Sequence, residues 1–356
     1  MKAVVTRKFG HAELVSDQSL PALPEDHILV KVVAVALNPI DWMKIDTFYA
    51  PGAIQGADYS GIIQDIGPAV EKKFEKGDRV FGLVRGGDSR RLQNGAFAEY
   101  IVAKGDIQFR IPRGMSFEDA ASIGSGSHSA GMALYRHLGL QKPYDVEDGE
   151  GIFVLIYGGS TSSGMFGVQL AAISGYKVIA TSSAANANFV KSLGAQKVFD
   201  YKDPDCGRKV REHTKDNLMI VWDTVAQPSS SKICAEAMSS KGGRYCCNLP
   251  VEFPRSDVKS CFYDATTVIG EYFEYGRDKV PIPADPDAFQ FGKKWTSIID
   301  RLLIERKLKP HAIEIGPRGL DGVLEGVDRL RNREVSGRKL VYRIADTPGL
   351  EESSKV

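Results

Sequence analysis

GIFVLIYGGSTSSGMFGVQLA, residues 151–171, reads as a buried strand, a loop of small residues and a helix. Its first part is a continuous apolar run without alternation, as expected of a strand covered on both faces. The N-terminus of the helix that follows presents unpaired backbone N–H groups and the positive end of the helix dipole. It therefore favours a pyrophosphate, and small residues let the backbone come close to one. Against the pattern G-x-G-x-x-G, Gly159 and Gly164 hold the outer positions, while Thr161 stands where the middle glycine is expected. An ordinary glycine-rich turn between strand and helix would share this much.

The surrounding rhythm narrows the reading. After residue 164 a helix to about Ser174 leads to YKVIATSS, a helix over Ala187 to Leu193, KVFDY and a helix near Arg208 to Thr214. MIVWDTV, a helix over Ser230 to Met238 and GGRYCCNL follow. Such alternation predicts βαβ units and a parallel sheet with helices on both faces, a doubly wound Rossmann domain in an α/β protein. An NAD site places an acid at the end of the second strand for the ribose 2′-hydroxyl. Here that end is Thr181-Ser182-Ser183, with Asn186 and Lys191 beyond it and no acid. Hydroxyls, an amide and an ammonium suit a 2′-phosphate, so the expected cofactor is NADPH/NADP.

Outward from this core, the first 112 residues form short apolar runs (Ile28 to Leu37, Gly61 to Ile66, Arg79 to Leu83, Phe97 to Val102) separated by turn clusters such as Glu75-Lys76-Gly77-Asp78. They predict a compact β-domain. From Ser116 to Leu140 the spacing of apolar residues predicts one helix, ended by Gly139. Residues 271–291, with Pro281, Pro283 and Pro286, read as an irregular connection. Helices over about Phe291 to Arg306 and Leu320 to Arg333, the strand GRKLVYRI and a polar tail beyond Leu350 complete the chain.

The chain has 356 residues, long enough for two domains, and a net charge of +1 that gives no field to draw it onto nucleic acid or an anionic bilayer. A small molecule is the expected partner. The five cysteines form no CxxC, which argues against a zinc cluster and a disulfide framework and for a reducing compartment. The N-terminus lacks an apolar signal region, and no window approaches the roughly 18 apolar residues of a membrane span. A cytoplasmic protein without membrane or nucleic-acid partners is expected.

Seven motifs, spread in order over nearly the whole chain, now carry a resemblance. They are AVALNPIDW (Ala34 to Trp42), GADYSGII (Gly56 to Ile63), KGDRVFG (Lys76 to Gly82), GAFAEY (Gly95 to Tyr100), YGGSTSSG (Tyr157 to Gly164), KSLGAQKVFDY (Lys191 to Tyr201) and SGRKLVYRI (Ser336 to Ile344). With them the sequence resembles the medium-chain dehydrogenase/reductase superfamily in its zinc-free quinone and enoyl reductase branch. Within it, the first, fifth and last motifs lean toward the fungal trans-acting enoyl reductases of polyketide biosynthesis, of the lovastatin enoyl reductase type. The resemblance implies a GroES-like β-rich catalytic domain (1–127 and 287–356), a Rossmann NADPH domain (128–286) and an active site in the cleft.

Carried over by position, it implies cofactor contacts at Asn38, Pro39, Ile40 and Asp41, at Ser160, Thr161, Ser162 and Ser163, at Ser183, Asn186 and Tyr201, at Asn248 and Leu249, and at Ser336 and Gly337. It implies an acyl pocket lined by Ser125, Gly126, Ser127, His128, Ser129, Ala130, Gly131 and Met132, and by Ala265, Thr266, Thr267, Val268 and Ile269. Ala184 and Ala185 replace larger residues of the lovastatin enzyme, which predicts a looser 2′-phosphate site. Zinc-dependent members place a Cys near Asn38 and a His near Ala57; with neither ligand here, no metal is expected.

Without a Lewis acid the chemistry that fits is conjugate reduction. Hydride passes to the β-carbon of an enoyl thioester or enone, and the enolate is held by donors and protonated at the α-carbon. Tyr59, Lys44 and His128 are the candidate donors, with Tyr49 a further phenol. Tyr59 also reads as packing, Lys44 and Tyr49 as solvent-facing, and His128 as a pocket wall. Arg85, Arg90 and Arg91 in RGGDSRRL could dock an acidic carrier or a coenzyme A phosphate, or form a mobile, solvated loop. Glu271 to Tyr275 could line a long apolar pocket or make a dimer contact, so monomer and homodimer both stay open. A quinone oxidoreductase, and a non-catalytic NADPH-binding structural or RNA-binding relative, are the alternative functions.

Overall fold

The computed structural model describes residues 1–48, 50–145 and 151–350. The chain divides into two compact units, residues 1–125 with 266–356, and residues 126–265. The chain thus returns to the first unit at Thr266, earlier than residue 287, the position expected from sequence.

The first unit opens with the hairpin β1 (Ala3–Lys8) and β2 (His11–Val15), followed by β3 (His27–Ala36), α1 (Pro39–Thr47), β4 (Asp58–Ile66), β5 (Arg79–Leu83), β6 (Tyr100–Lys104), β7 (Phe109–Arg110) and α2 (Phe117–Ala121). β3 is the axis of the unit's main sheet, antiparallel to both β4 and β6. Its sequence HILVKVVAVA is mostly buried, because its apolar residues on both faces are covered. The core here gathers Val30, Val32, Tyr59, Ile63, Val80, Phe97 and Ile101, among others.

The single helix expected over Ser116 to Leu140 is broken. α2 starts at the N-cap Ser116, whose hydroxyl accepts from the Asp119 N–H at 3.0 Å, and ends at Ala121. α3 (Gly124–Ala130) then runs into a π-helical turn, Gly131–His137. Gly139, at φ 67°, closes it as expected.

The second unit follows the predicted alternation closely. β8 (Phe153–Tyr157), α4 (Ser162–Ile173), β9 (Lys177–Ser182), α5 (Ala187–Ser192), β10 (Lys197–Asp200), α6 (Cys206–His213), β11 (Ile220–Asp223), α7 (Pro228–Ala237), β12 (Gly243–Cys247) and β13 (Val258–Phe262) succeed one another. The strands form one parallel sheet in the order β10-β9-β8-β11-β12-β13. The chain reverses direction of travel between β8 and β11, the crevice where doubly wound sheets bind ligands. α4 lies close to the sheet because it offers glycine: a Cβ on Gly167 would meet the buried Trp222 ring at 2.5 Å.

Back in the first unit, residues expected to be an irregular connection contain the hairpin β14 (Phe273–Tyr275) and β15 (Val280–Ile282), and α8 (Pro286–Ile304) begins inside that stretch. Asp285 caps α8 by accepting from the Ala288 N–H at 2.8 Å, with Pro286 in the first turn where its missing N–H costs nothing. β16 (Ile313–Gly316), α9 (Val323–Arg331) and β17 (Lys339–Arg343) finish the unit, and β17 pairs antiparallel with β3. The main sheet runs β16-β17-β3-β4-β5-β7 with β6 also on β3. Among the described residues no helix is long and apolar enough to cross a membrane. The polar tail lies outside the described residues.

Candidate functional site

In the second unit the cofactor loop is built by hydrogen bonds the sequence motif does not reveal. Gly158, at φ 82°, turns the chain off β8, and its N–H donates to Thr181 Oγ1 at 2.9 Å. The Gly159 N–H donates to the Thr181 carbonyl at 2.8 Å. Thr161 is the N-cap of α4: its Oγ1 accepts from the Gly164 N–H at 3.0 Å and lies 2.8 Å from Thr224 Oγ1. The threonine in place of the middle glycine therefore caps the helix and ties the loop to the end of β11. Gly164 has no space for a side chain, since a Cβ would lie 2.1 Å from the Gly158 carbonyl oxygen. Ser160, Thr161, Ser162 and Ser163 are all half-buried, whereas the helix behind them from Gly164 to Ala171 is buried.

The remaining residues expected in this unit gather along the same C-terminal edge of the sheet. Asn186 Nδ2 reaches Ser160 Oγ at 3.4 Å, joining the loop to the segment after β9. Ser183 follows the last residue of β9, and the Tyr201 N–H donates to the Ser182 carbonyl. Asn248 and Leu249 follow β12; Asn248 is fixed by Trp222 Nε1, which donates to its Oδ1 at 3.1 Å. Lys191 is exposed on α5. Asp200 at the end of β10 stands in register with Ser182, so an acid lies one strand away from the acid-free end of β9. Its Oδ1 accepts from the Lys202 N–H at 2.9 Å, which engages it locally.

At the end of β11, Asp223 was not singled out from sequence. It is fully buried and accepts from the Val225 and Ala226 N–H groups, Ser230 Oγ and Tyr245 OH. Burial raises its carboxyl above the ordinary range despite these donors. Four donors to one carboxylate make it the anchor of the turn between β11 and α7.

In the first unit, Asn38 caps α1 while its side chain belongs to a buried cluster. Asn38 Nδ2 donates to Asp58 Oδ2 at 2.8 Å; Lys339 Nζ donates to Asn38 Oδ1 at 2.9 Å and to Asp58 Oδ2 at 2.6 Å. The Ser125 N–H donates to the other Asp58 oxygen at 2.6 Å. Sequence reading passed over Asp58 and Lys339, although each sits inside a quoted motif. Asp41 Oδ2 accepts from the Asn38 N–H at 2.7 Å, and burial, with Asp58 adding to it, lifts the Asp41 carboxyl to about 7. Pro39 and Ile40 occupy the first turn of α1, and Ser336 and Gly337 lie on the approach to β17.

This cluster bears on metal binding. The neutral Asn38 amide is already shared between a carboxylate and an ammonium, and Ala57 has no donor atom. A zinc ion placed here would face the Lys339 ammonium with no thiolate or imidazole, so the residues do not fit one. The other grouping of metal-type donors, Asp26, His27 and Glu271, is likewise engaged. Lys104 bonds Asp26 and lies 3.1 Å from Glu271, while Arg91 takes the second Glu271 oxygen at 2.7 Å.

The three candidate proton donors are all buried. Tyr59 has no exposure, donates to Gln108 Oε1 at 2.9 Å, and burial pushes its phenol up beyond the usual range. Lys44, expected to face solvent, is instead buried, with Nζ donating to the Gly86 carbonyl at 2.6 Å. The reason is the loop of Gly86 and Gly87, which lays backbone over the lysine stem: a Cβ on Gly87 would meet Lys44 Cδ at 3.2 Å. His128 is fully buried in α3. Tyr49 lies outside the described residues.

The stretches expected to line an acyl pocket fall into different units. Gly126 to Met132 packs within the second, where Ser129 Oγ lies 2.8 Å from Tyr263 OH and a Cβ on Gly126 would strike Phe166. Ser125 and Thr266 to Ile269 belong to the first, where the Arg85 guanidinium donates to Thr266 Oγ1.

The arginine loop is anchored at Arg85, while Arg90 and Arg91 stay exposed at its rim. Arg85 is buried, with its guanidinium 3.1 Å from the centre of the Phe273 ring. Ser89 donates to Glu274, Arg90 lies near Glu274 and over Tyr272, and Arg91 pairs with Glu271. The basic loop and the acidic, aromatic run read separately in the sequence are partners.

Comparison with known proteins now adds to this geometry. Residues 24–113 match the alcohol dehydrogenase GroES-like domain and residues 164–277 the zinc-binding dehydrogenase domain. The trans-enoyl reductase resD of Aspergillus sclerotiorum is 41% identical, covering 97% of this chain and 100% of that one. The trans-enoyl reductase ACTTS2 of Alternaria alternata is 42% identical over 96% of this chain and 98% of its own. Among solved structures, an alcohol dehydrogenase superfamily protein from Novosphingobium aromaticivorans superposes with a TM-score of 0.77 at 22% identity, over 96% of this chain and 98% of that one, a likeness of fold.

Proposed function

Because the chain belongs to the medium-chain dehydrogenase/reductase superfamily, among its fungal trans-enoyl reductases, we propose that this oxidoreductase uses NADPH to reduce the carbon–carbon double bond of an enoyl thioester. The observation that carries the reading is the C-terminal edge of the parallel sheet. There a capped, glycine-walled helix N-terminus stands beside Ser160, Ser183, Asn186 and Tyr201, with no acid at the end of β9. Backbone N–H groups of α4 would hold the pyrophosphate, and the hydroxyl and amide groups the 2′-phosphate. Bound, the nicotinamide supplies the hydride.

The chain's own part is to fix the alkene in a near-attack position and to manage the charge that develops on the thioester oxygen. Of the candidate donors we assign that work to Lys44. It is an ammonium on α1, one turn beyond Asp41, held by the Gly86 carbonyl. Tyr59 has given its hydroxyl to Gln108 and acts in packing. The family setting supports a carrier-tethered substrate delivered by a polyketide synthase. With the arginine loop already neutralised by Glu271 and Glu274, the carrier would dock elsewhere.

The test follows NADPH oxidation with crotonyl and longer enoyl thioesters, simple enones and quinones. The proposal expects turnover on thioesters and a strong preference for NADPH over NADH. Turnover on quinones alone, or tight NADPH binding with no turnover, would overturn it. Lys44→Met should lower kcat by roughly 100-fold while leaving NADPH affinity unchanged, and an unaltered kcat would remove Lys44 from the mechanism.

A further inference from the structure

Of the five cysteines, two face each other. Cys246 on β12 and Cys261 on β13 are partners in the parallel ladder, so their side chains leave the sheet on the same face. Adjacent strands run roughly 4.8 Å apart, inside the Cα separation a disulfide accepts. Cys246 is fully buried, and Cys261, on the outermost strand, is half-buried. The Cys246 thiol and the His137 ring, at the end of the π-helical turn, are the groups that act most strongly on the Cys261 sulfur. His137 is itself stacked on Tyr263, ring centres 5.4 Å apart, which fixes its aim.

These contacts give Cys261 thiolate character. Cys246 first, then His137 and the charge of Lys259, outweigh burial and hold its thiol below the usual thiol range. The others behave in the opposite way: burial pushes Cys206 and Cys247 up to about 11 and Cys234 well above its usual value. Cys247 points to the other face, where its thiol donates to the Leu249 carbonyl at 3.2 Å.

We propose that Cys261 is a peroxide-reactive thiol and Cys246 its resolving partner, the two forming a reversible disulfide between β12 and β13. The Cys261 thiolate attacks one peroxide oxygen, the O–O bond breaks, and hydroxide leaves and is protonated to water, with the sulfur oxidised to sulfenic acid. The Cys246 sulfur then attacks that sulfur, the S–S bond forms as the S–O bond breaks, and the oxygen departs as a second water with the Cys246 proton. Two thiols are oxidised and one peroxide reduced. Its reversal needs only exchange with an external thiol. Asn248 and Leu249 follow Cys247 immediately, so the bond would act on the strand that presents them to the cofactor; this second half rests on the NADPH reading above.

The experiment treats the full-length protein with hydrogen peroxide, digests it without reductant and maps cysteine peptides by mass spectrometry, with and without dithiothreitol. The expected product is a Cys246–Cys261 peptide that dithiothreitol separates. Cys261→Ser should abolish oxidation, and Cys246→Ser should stop at a sulfenic acid captured by dimedone. Both cysteines remaining open to iodoacetamide after unfolding of the peroxide-treated protein, or a link from Cys261 to Cys247, would overturn the pairing. NADPH affinity, measured by fluorescence, should weaken several-fold on oxidation and recover with dithiothreitol. If the reduced protein binds NADPH and the oxidised protein binds it equally well, the coupling is wrong; if the reduced protein does not bind it, the cofactor reading is wrong, and the peptide map stands independently.

Discussion

At Asp41 a carboxyl serves as a hydrogen-bond acceptor in a place where charge is expensive. Burial is the largest influence on it, and its pKa rises from 3.8 to about 7. Between those values the folded protein keeps a proton that the unfolded chain has released, so the folded state is favoured by lower pH. Stability on this account is greatest near pH 4, declines as pH rises toward 7 and levels off above. Asp41→Asn keeps an oxygen for the Asn38 N–H and cannot ionise. Denaturant titrations should therefore show the variant gaining on the parent protein from pH 4 to 7, with a constant difference beyond. A difference independent of pH would show that Asp41 is ionised throughout. The motif placed Asp41 in the expected site, but the charges of Asp58 and Lys339 that act on it arrive on two strands distant in sequence. A similar non-local cause hides in Lys44, whose polar head reads as surface in any linear pattern until Gly86 and Gly87 fold over it.

Among the elements, the parallel sheet was the most legible, since β8 is an unbroken apolar run, β9 and β11 have apolar centres, and helical segments alternate with them. Elements defined by partners were not: β13 is half-exposed and polar enough to pass for loop, and the three prolines obscured the β14–β15 hairpin and the start of α8. That hairpin forms against the arginine loop. Its central contact is Arg85, buried on Phe273 and bonded to Thr266, whereas Arg90 and Arg91 pair with glutamates at the rim. Removing a buried cation from an aromatic face and a hydroxyl should cost about 2 to 3 kcal/mol, against less than about 1 kcal/mol for a rim pair. Thermal unfolding of Arg85→Ala should accordingly start well below that of Arg90→Ala or Arg91→Ala. Equal losses for all three would mean that the charges, rather than the buried stack, hold the loop.

For the molecule as a whole, the cofactor reading makes a thermodynamic demand. A ligand that binds only the folded protein stabilises it by RT ln(1 + [L]/Kd), about 2.7 kcal/mol when the ligand is at a hundred times its Kd. The expected contacts Ser160, Asn186 and Asn248 lie in the unit of residues 126–265. NADPH should then raise the unfolding temperature of that unit. NADH, lacking the 2′-phosphate, should need a far higher concentration for the same rise. Gly164→Ala supplies the control, because its methyl group would be forced against the Gly158 carbonyl and the loop must open to admit it. In that variant the unliganded protein should lose stability and the NADPH-dependent rise should largely vanish. Differential scanning calorimetry across a concentration series of each nucleotide separates the outcomes. Equal rises with NADPH and NADH would leave the hydroxyl and amide groups beyond β9 without a phosphate to hold.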